Sequence, residues 1–156
     1  MEEIVYSRAT LDDLDTIIDL RLIFAKEFST RPSLESIQEF KKANKMYLEV
    51  AIPNNSFIVY LAKCGNEIAG MGGVVIRQQP GSFKNPSGRV GYMMNMYTFP
   101  FFRRKGICTK ILNLLLTEAS LSGIHAFELH ASEMGEKVYV QNGFVKHTEP
   151  TYRKFV

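Results

Sequence analysis

The clearest hydrophobic pattern in the chain is a strand-like run followed directly by a helix-like one. From Ile107 to Leu115 apolar residues recur every three or four positions with polar residues on the other side, which predicts a helix from near Arg104 to Leu121. Residues 89–99 are dense in aromatic and long apolar side chains and precede a proline, which predicts a strand. A strand therefore leads straight into a helix.

The rest of the chain divides into shorter elements by the same criteria. In chain order we predict a strand at 3–8, a helix behind Thr10, a helix capped by Ser33, a hairpin that turns at 64–67, the 89–99 strand, the long helix, a strand after Gly123, a short helix at 133–141, and a last pair of strands within 144–156. The order is βααβββαβαββ. Residues 89–131 form a strand, a crossover helix and a strand, which should be parallel and right-handed. Ligands of such units bind outside the carboxyl ends of the strands.

Composition narrows the class of protein. The 156 residues are 46% hydrophobic, which fits a single domain spanning residues 1–156 with a substantial core. No stretch is long and apolar enough to span a bilayer, and the N-terminus is acidic, unlike a secretory signal, so we expect a cytoplasmic protein that binds no membrane. Cys64 and Cys108 fit reduced thiols rather than a disulfide framework. A net charge of +3 does not indicate a nucleic-acid partner.

The junction between strand and long helix, PFFRRKGICTK at 100–110, concentrates positive charge at a helix start. Unpaired N–H groups and the helix dipole favour a phosphate there, and Gly106 lets the backbone approach a ligand. A solvated basic patch beside a glycine turn is the alternative interpretation. The P-loop, the dinucleotide fingerprint and the hydrolase elbow are all absent, and the histidines lack the pairing of a zinc site.

NMYTFPFFRRKGICTKIL resembles the acetyl-CoA signature of the GNAT acetyltransferases, Arg/Gln-x-x-Gly-x-Gly/Ala between a strand and a helix, here Arg103, Gly106 and Cys108. VYVQNGF resembles the family's Tyr followed four residues later by Gly-Phe. The resemblance implies an α/β (α+β) fold: a mixed, mostly antiparallel sheet with a central, splayed parallel strand pair and helices on both faces. It also implies an N-acetyltransferase that moves acetyl from acetyl-CoA to a primary amine of a small molecule or peptide, by direct attack in a ternary complex.

The same resemblance assigns roles to residues. On the strand before the junction, the Met96 N–H would lie near the acetyl oxygen, and Tyr97 and Thr98 along the pantetheine arm. Ser132 stands where many members carry a cofactor-binding Asn, and Tyr139 falls at the position of the general acid. The pyrophosphate would contact Arg103 and the backbone of Arg104, Lys105, Gly106, Ile107, Cys108 and Thr109. Cys108 departs from the usual Gly or Ala.

The general base is less clear from the sequence. Many relatives carry a Glu on the strand before the junction, but Asn95 cannot accept a proton at neutral pH. Glu128 and His130, two apart on the next strand, share a face and could act directly or through water; both could equally be structural polar groups.

Two rival functions and several open points remain at this level. One rival is a non-catalytic module that binds acyl-CoA as a sensor or assembly factor. The other, a single-strand nucleic-acid binder that stacks bases on Phe101 and Phe102, is disfavoured because no wider basic stripe is present. Phe24, Phe28, residues 78–88 and Tyr92 are candidate lining of the acceptor site. A homodimer is possible.

Overall fold

A computed structural model describes residues 3–27 and 31–156, so Phe28 lies outside the described residues. The helices and strands, in chain order, are β1 (Ile4–Arg8), α1 (Leu14–Glu27), α2 (Leu34–Ala51), β2 (Phe57–Cys64), β3 (Glu67–Gln78), β4 (Arg89–Thr98), α3 (Ile107–Leu121), β5 (Phe127–Leu129) and α4 (Glu136–Gln141). Short 3-10 turns precede α1 and follow β4.

The predicted helix starts behave as capping chemistry requires. The Thr10 side chain accepts a hydrogen bond from the Asp12 N–H, and Asp13 reaches back to the Thr10 N–H, completing a capping box. Ser33 caps α2 by accepting from the Ser36 N–H. Both predicted caps are confirmed.

The strands form one sheet in the order β1-β2-β3-β4-β5, in which only the last pair is parallel. The parallel pair is short, with register running from Gly91 opposite Phe127 to Met93 opposite Leu129. The predicted mixed, mostly antiparallel sheet and the parallel β4–α3–β5 unit are confirmed. Among the described strands the parallel pair lies at one edge rather than in the centre.

The parallel pair lies at the edge of the sheet because no further strand follows β5 in the described part of the chain. Residues 144–156 contain no strand, so the predicted last pair of strands is wrong. Val145, Tyr152 and Phe155 have almost fully exposed side chains, and Pro150 cannot donate to a ladder. These side chains pack against no apolar surface of the described structure, and an isolated pair of strands is not stable by itself.

The core lies on both faces of the sheet. One cluster packs α3 and α4 against the sheet, through Ile58, Ala62, Ala69, Val74, Met93, Phe102, Ile107, Ile111, Leu112, Leu115, Ala119, Ile124 and Tyr139. The other packs α1 and α2 against the opposite face, through Ala9, Ile17, Ile18, Leu20, Leu48, Ala51, Ile52, Phe57, Val59, Leu61 and Met71. This confirms helices on both faces.

A bulge interrupts β4 at Asn95. Gly73 lies opposite Met94 and Met71 lies opposite Tyr97, so two residues of β4 face one residue of β3. Asn95 has a φ of 56°, in the left-handed region that Asn tolerates better than most residues. The extra residue breaks the alternation of side chains along β4.

The bulge changes which face each methionine of β4 contacts. Met93 and Met96 both pack in the α3 cluster, although three positions separate them, while Met94 packs on the α1–α2 side. The Met96 side chain fits because β3 carries Gly72, where an added Cβ would lie 2.5 Å from the Met96 sulfur and 2.6 Å from Ile111. The glycine of β3 thus makes room for the distorted segment of β4.

Candidate active site

A cleft of about 610 Å³ opens where β4 and β5 separate. Pairing between the two strands ends at Met93 and Leu129, while β4 continues to Thr98. The cleft is lined by residues of α1, α2, β4, the segment after β5, α4 and the C-terminal segment: Arg21, Phe24, Ala25, Phe40, Tyr92, Met93, Met94, Asn95, Met96, His130, Ala131, Ser132, Tyr139 and Arg153. The backbone of β4 beyond Met93 therefore lies beside a cavity instead of another strand.

Two polar side chains of this part of β4 have no partner. Among the described residues, neither Asn95 Nδ2 nor Thr98 Oγ1 makes a hydrogen bond, although both atoms are buried. A buried polar group left unpaired costs about 1–3 kcal/mol. Both orphaned atoms lie in the part of β4 that has no β5 partner.

The start of α3 presents unpaired backbone donors. Gly106 is the N-cap in a left-handed conformation, with φ of 76° and no side-chain cap. The first helical bond runs from the Lys110 N–H to the Gly106 carbonyl, and the N–H groups of Ile107, Cys108 and Thr109 meet no acceptor among the described residues. A Cβ at Gly106 would have nothing within 4 Å, so its open side faces space that a phosphate can fill.

The arginines of the junction differ in what they contact. The Arg103 Nε donates to the Thr98 carbonyl at 2.9 Å, and its guanidinium lies 5.9 Å from the Tyr97 ring. Arg103 therefore ties the junction back to β4. Arg104 is exposed, with φ of 61°, which explains why α3 begins at Ile107 rather than near Arg104.

The aromatic residues of the junction do not form a stacking platform. The Lys105 ammonium lies 5.0 Å from the Phe101 ring and 5.3 Å from the Phe102 ring. Phe102 is only 5% exposed and belongs to the core under α3. Since only Phe101 is available to a base, the nucleic-acid alternative loses its second stacking surface.

Tyr139 lies in α4 and lines the cleft, and its ring centroid lies 6.0 Å from that of Phe144. Burial, and then interaction with Cys108, raise the pKa of Tyr139 above its usual value, so the hydroxyl keeps its proton at neutral pH. Burial likewise raises the pKa of the Cys108 thiol. A raised pKa favours the protonated form of the thiol.

Of the remaining predicted site residues, two line the cleft and one does not. Ser132 and His130 line the cleft, but the Ser132 hydroxyl already accepts the Gly135 N–H at 3.2 Å. His130 Nδ1 lies 2.8 Å from the Tyr92 hydroxyl. Glu128 does not line the cleft: its carboxylate is exposed and 3.7 Å from Arg77.

The sequence-based lining was partly right. Phe24 and Tyr92 line the cleft, whereas no residue of 78–88 does. The residues missed include Arg21, Phe40 and Arg153. Arg21 could have been found, because it lies four positions after Ile17 and therefore on the apolar stripe of α1, where an unpaired cation is unexpected. Nothing in the local pattern near Arg153 points to the cleft.

Within the described part of the chain, no group of His, Cys, Asp and Glu side chains could hold a metal ion. None of the helices that the structure describes is sufficiently long and apolar to cross a membrane.

Comparison with known proteins agrees with the fold. The model of the acetyltransferase (GNAT) domain matches residues 28–156. The structure is similar to a predicted acetyltransferase with acetyl-CoA from Clostridium acetobutylicum, at 28% identity and a TM-score of 0.86 over 97% of this chain and 96% of that chain. It is also similar to a GCN5-related N-acetyltransferase from Ralstonia eutropha, at 22% identity and a TM-score of 0.83 over 97% and 99% of the two chains.

A more distant similarity is to glucosamine-6-phosphate N-acetyltransferase from Arabidopsis thaliana, at 17% identity and a TM-score of 0.72 over 99% and 100% of the two chains. No curated protein sequence gives a significant match. The chain belongs to the GNAT acetyltransferase family. It is accordingly an acyltransferase with acetyl-CoA as cosubstrate.

Proposed function

We propose that the chain acetylates a primary amine of a small molecule or peptide by direct attack in a ternary complex, at the opening between β4 and β5. One observation carries the proposal: a single cleft brings together the β4 backbone beyond Met93, the protonated Tyr139 and His130. An acceptor, an acyl donor and a proton source can therefore meet in one place.

The chain offers matching groups along the length of acetyl-CoA. The N–H groups of α3 from Ile107 to Thr109, the open side of Gly106 and the exposed Arg104 would hold the pyrophosphate. Thr98, at the end of β4, would lie along the pantetheine arm. Of the residues predicted for this role, Arg103 acts by fixing Thr98, and Ser132 by fixing the turn before α4.

The bound cosubstrate supplies an activated acetyl group as a thioester. The Met96 N–H is the proposed donor to the acetyl oxygen as negative charge develops on it, a contribution of about 3 kcal/mol for donors of this kind. The amine nitrogen forms the new bond to the acetyl carbon while the bond from that carbon to sulfur breaks. Tyr139 gives its proton to the departing sulfur, and the raised pKa keeps that proton in place until then.

His130 is the proposed acceptor of the proton that the amine loses. It lines the cleft, and its bond to the Tyr92 hydroxyl orients the ring. Glu128 is the weaker candidate, since its carboxylate faces Arg77 outside the lining. The proton that His130 accepts equals the one that Tyr139 gives up, and proton exchange with solvent then returns both side chains to their starting protonation states.

The test is amine-dependent release of CoA. Tyr139→Phe should lower kcat about 100-fold or more, the usual scale of lost acid catalysis, and leave the Kd for acetyl-CoA unchanged. Tyr152→Phe is the matched control, because Tyr152 is 88% exposed, and it should behave as wild type. Acetyl-CoA binding without CoA release for any amine would instead indicate a sensor.

A further inference from the structure

The charge of the cleft is one-sided. Its lining includes Arg21, Arg153 and His130, and no Asp or Glu among the described residues. In the described part of the chain, no carboxylate forms an ion pair with Arg21 or Arg153. The cleft therefore presents two arginines whose positive charge no carboxylate of the described lining neutralises.

Two carboxylates on α1 and β5 are engaged outside the cleft. The Glu27 carboxylate accepts a hydrogen bond from the Tyr97 hydroxyl at 2.8 Å. The Glu128 carboxylate lies 3.7 Å from Arg77, whose guanidinium covers the Tyr92 ring at 3.7 Å. Neither acid lines the cleft, so neither can neutralise a cationic ligand there.

Arg21 is held in position by α2. Its Nε donates to Asn44 Oδ1 at 2.7 Å, and Asn44 Nδ2 in turn donates to the Phe40 carbonyl at 2.8 Å. The Arg21 side chain is half-buried, and this burial lowers its pKa. A partly desolvated cation with no counter-ion among the described residues is unfavourable, and an oriented guanidinium binds the two oxygens of a carboxylate or phosphate well.

Apolar side chains line the same cleft as Arg21. Phe24, Phe40 and Met94 line the same cleft, with Tyr92 towards β5. An acceptor that fits them has an apolar portion as well as a charged one.

We propose that the acceptor is an amine that carries an anionic group, a carboxylate or a phosphate, bound by Arg21 and Arg153. The aromatic residues of α1, α2 and β4 cover its apolar part. This rests on the acetyl transfer proposed above and names the acceptor class for the same cleft. Polycationic acceptors such as polyamines and aminoglycosides are disfavoured, because they would meet both arginines without a carboxylate to bind them.

Matched acceptors test the proposal. L-phenylalanine and L-phenylalaninamide differ in whether the group beside the amine is anionic, and phosphoethanolamine and ethanolamine do the same for phosphate. Spermidine and an aminoglycoside represent the polycations. CoA release is measured for each, with kcat/KM expressed per neutral amine so that differences in amine pKa do not enter.

In at least one of the two pairs, we expect kcat/KM to be at least tenfold higher for the anionic amine than for its neutral counterpart. A preference in the phenylalanine pair indicates a carboxylate ligand, and a preference in the ethanolamine pair indicates a phosphate ligand. Arg21→Gln should abolish the preference by lowering kcat/KM for the anionic acceptor alone. Lys41→Gln is the matched control: Lys41 also links α1 and α2, through Asp19 at 2.9 Å, but does not line the cleft, and it should keep the preference. Arg153→Gln, in an exposed segment outside the core, should reduce it even if Arg21→Gln does not fold.

Equal or faster turnover of the neutral amines or polycations, with acetyl-CoA binding intact, would overturn the acceptor class and leave the transfer reaction standing. Retention of the preference in both arginine variants would overturn it as well. CoA release with no amine at all would overturn both the acceptor class and the proposed function.

Discussion

Gly106 offers the most specific test of how the junction binds acetyl-CoA, through replacement by valine. The glycine has a left-handed φ of 76° and nothing within 4 Å of an added Cβ. Valine should therefore cost stability through backbone strain, about 1–2 kcal/mol, but not through a clash with the protein. For a chain of this size that strain lowers Tm by about 2–8 °C.

The same side chain would occupy the space beside the first turn of α3. Losing one or two charged hydrogen bonds there, at about 1.5–3 kcal/mol each, should raise the Kd for acetyl-CoA by roughly 10-fold to 10,000-fold. Gly123→Val is the matched control, since Gly123 has a φ of 84° at the opposite end of the same helix and its nearest neighbour would be Arg89 at 3.6 Å. Calorimetry should show the Tm loss in both variants and weaker acetyl-CoA binding only in Gly106→Val. A folded Gly106→Val protein with wild-type affinity would refute the reasoning.

Further predictions concern groups around the site and the core. With Cys64→Ser as background, Cys108 should react slowly with a thiol reagent at pH 7 and faster as pH rises past its raised pKa; fast reaction at pH 7 would contradict its burial. Burial, and the 2.7 Å bond that its hydroxyl donates to Glu118, raise the pKa of Tyr60 to about 12. The stability that protonated Tyr60 contributes is present below pH 10 and is lost as the pH rises towards 12. In denaturant titrations, the free energy of unfolding of Tyr60→Phe should therefore fall less over that window than that of wild type. Asn95→Ala should lower Tm by about 2–4 °C more than Asn95→Gly, which tolerates the φ of 56°; equal Tm values would argue against the strained bulge.

Much of the fold follows from local patterns in the sequence. The caps at Thr10 and Ser33, the hairpin and the long helix all depend on residues close together in the chain, so they could be predicted. The C-terminal strands could not be judged in this way, because whether Val145 and Phe155 find a partner depends on tertiary packing. Local β-propensity gave the wrong answer there.

The candidate site shows the same division. The junction motif places Gly106 at a helix start, and the second motif places Tyr139 in a short helix. Both placements depend on residues close together in the chain and could be predicted from the sequence. The bulge at Asn95, the tie from Arg103 to Thr98 and the arrival of Arg153 in the cleft depend on contacts between distant segments. Periodicity carries no information about such contacts.

The central claim is tested most directly by a crystal structure of the protein with bound acetyl-CoA. The account predicts the pyrophosphate on the N–H groups at the start of α3, the acetyl oxygen at the Met96 N–H, and the Tyr139 hydroxyl within about 3.5 Å of the thioester sulfur, the range of a hydrogen bond to sulfur being slightly longer than to oxygen. The cofactor bound elsewhere, or with its sulfur out of reach of Tyr139, would contradict it.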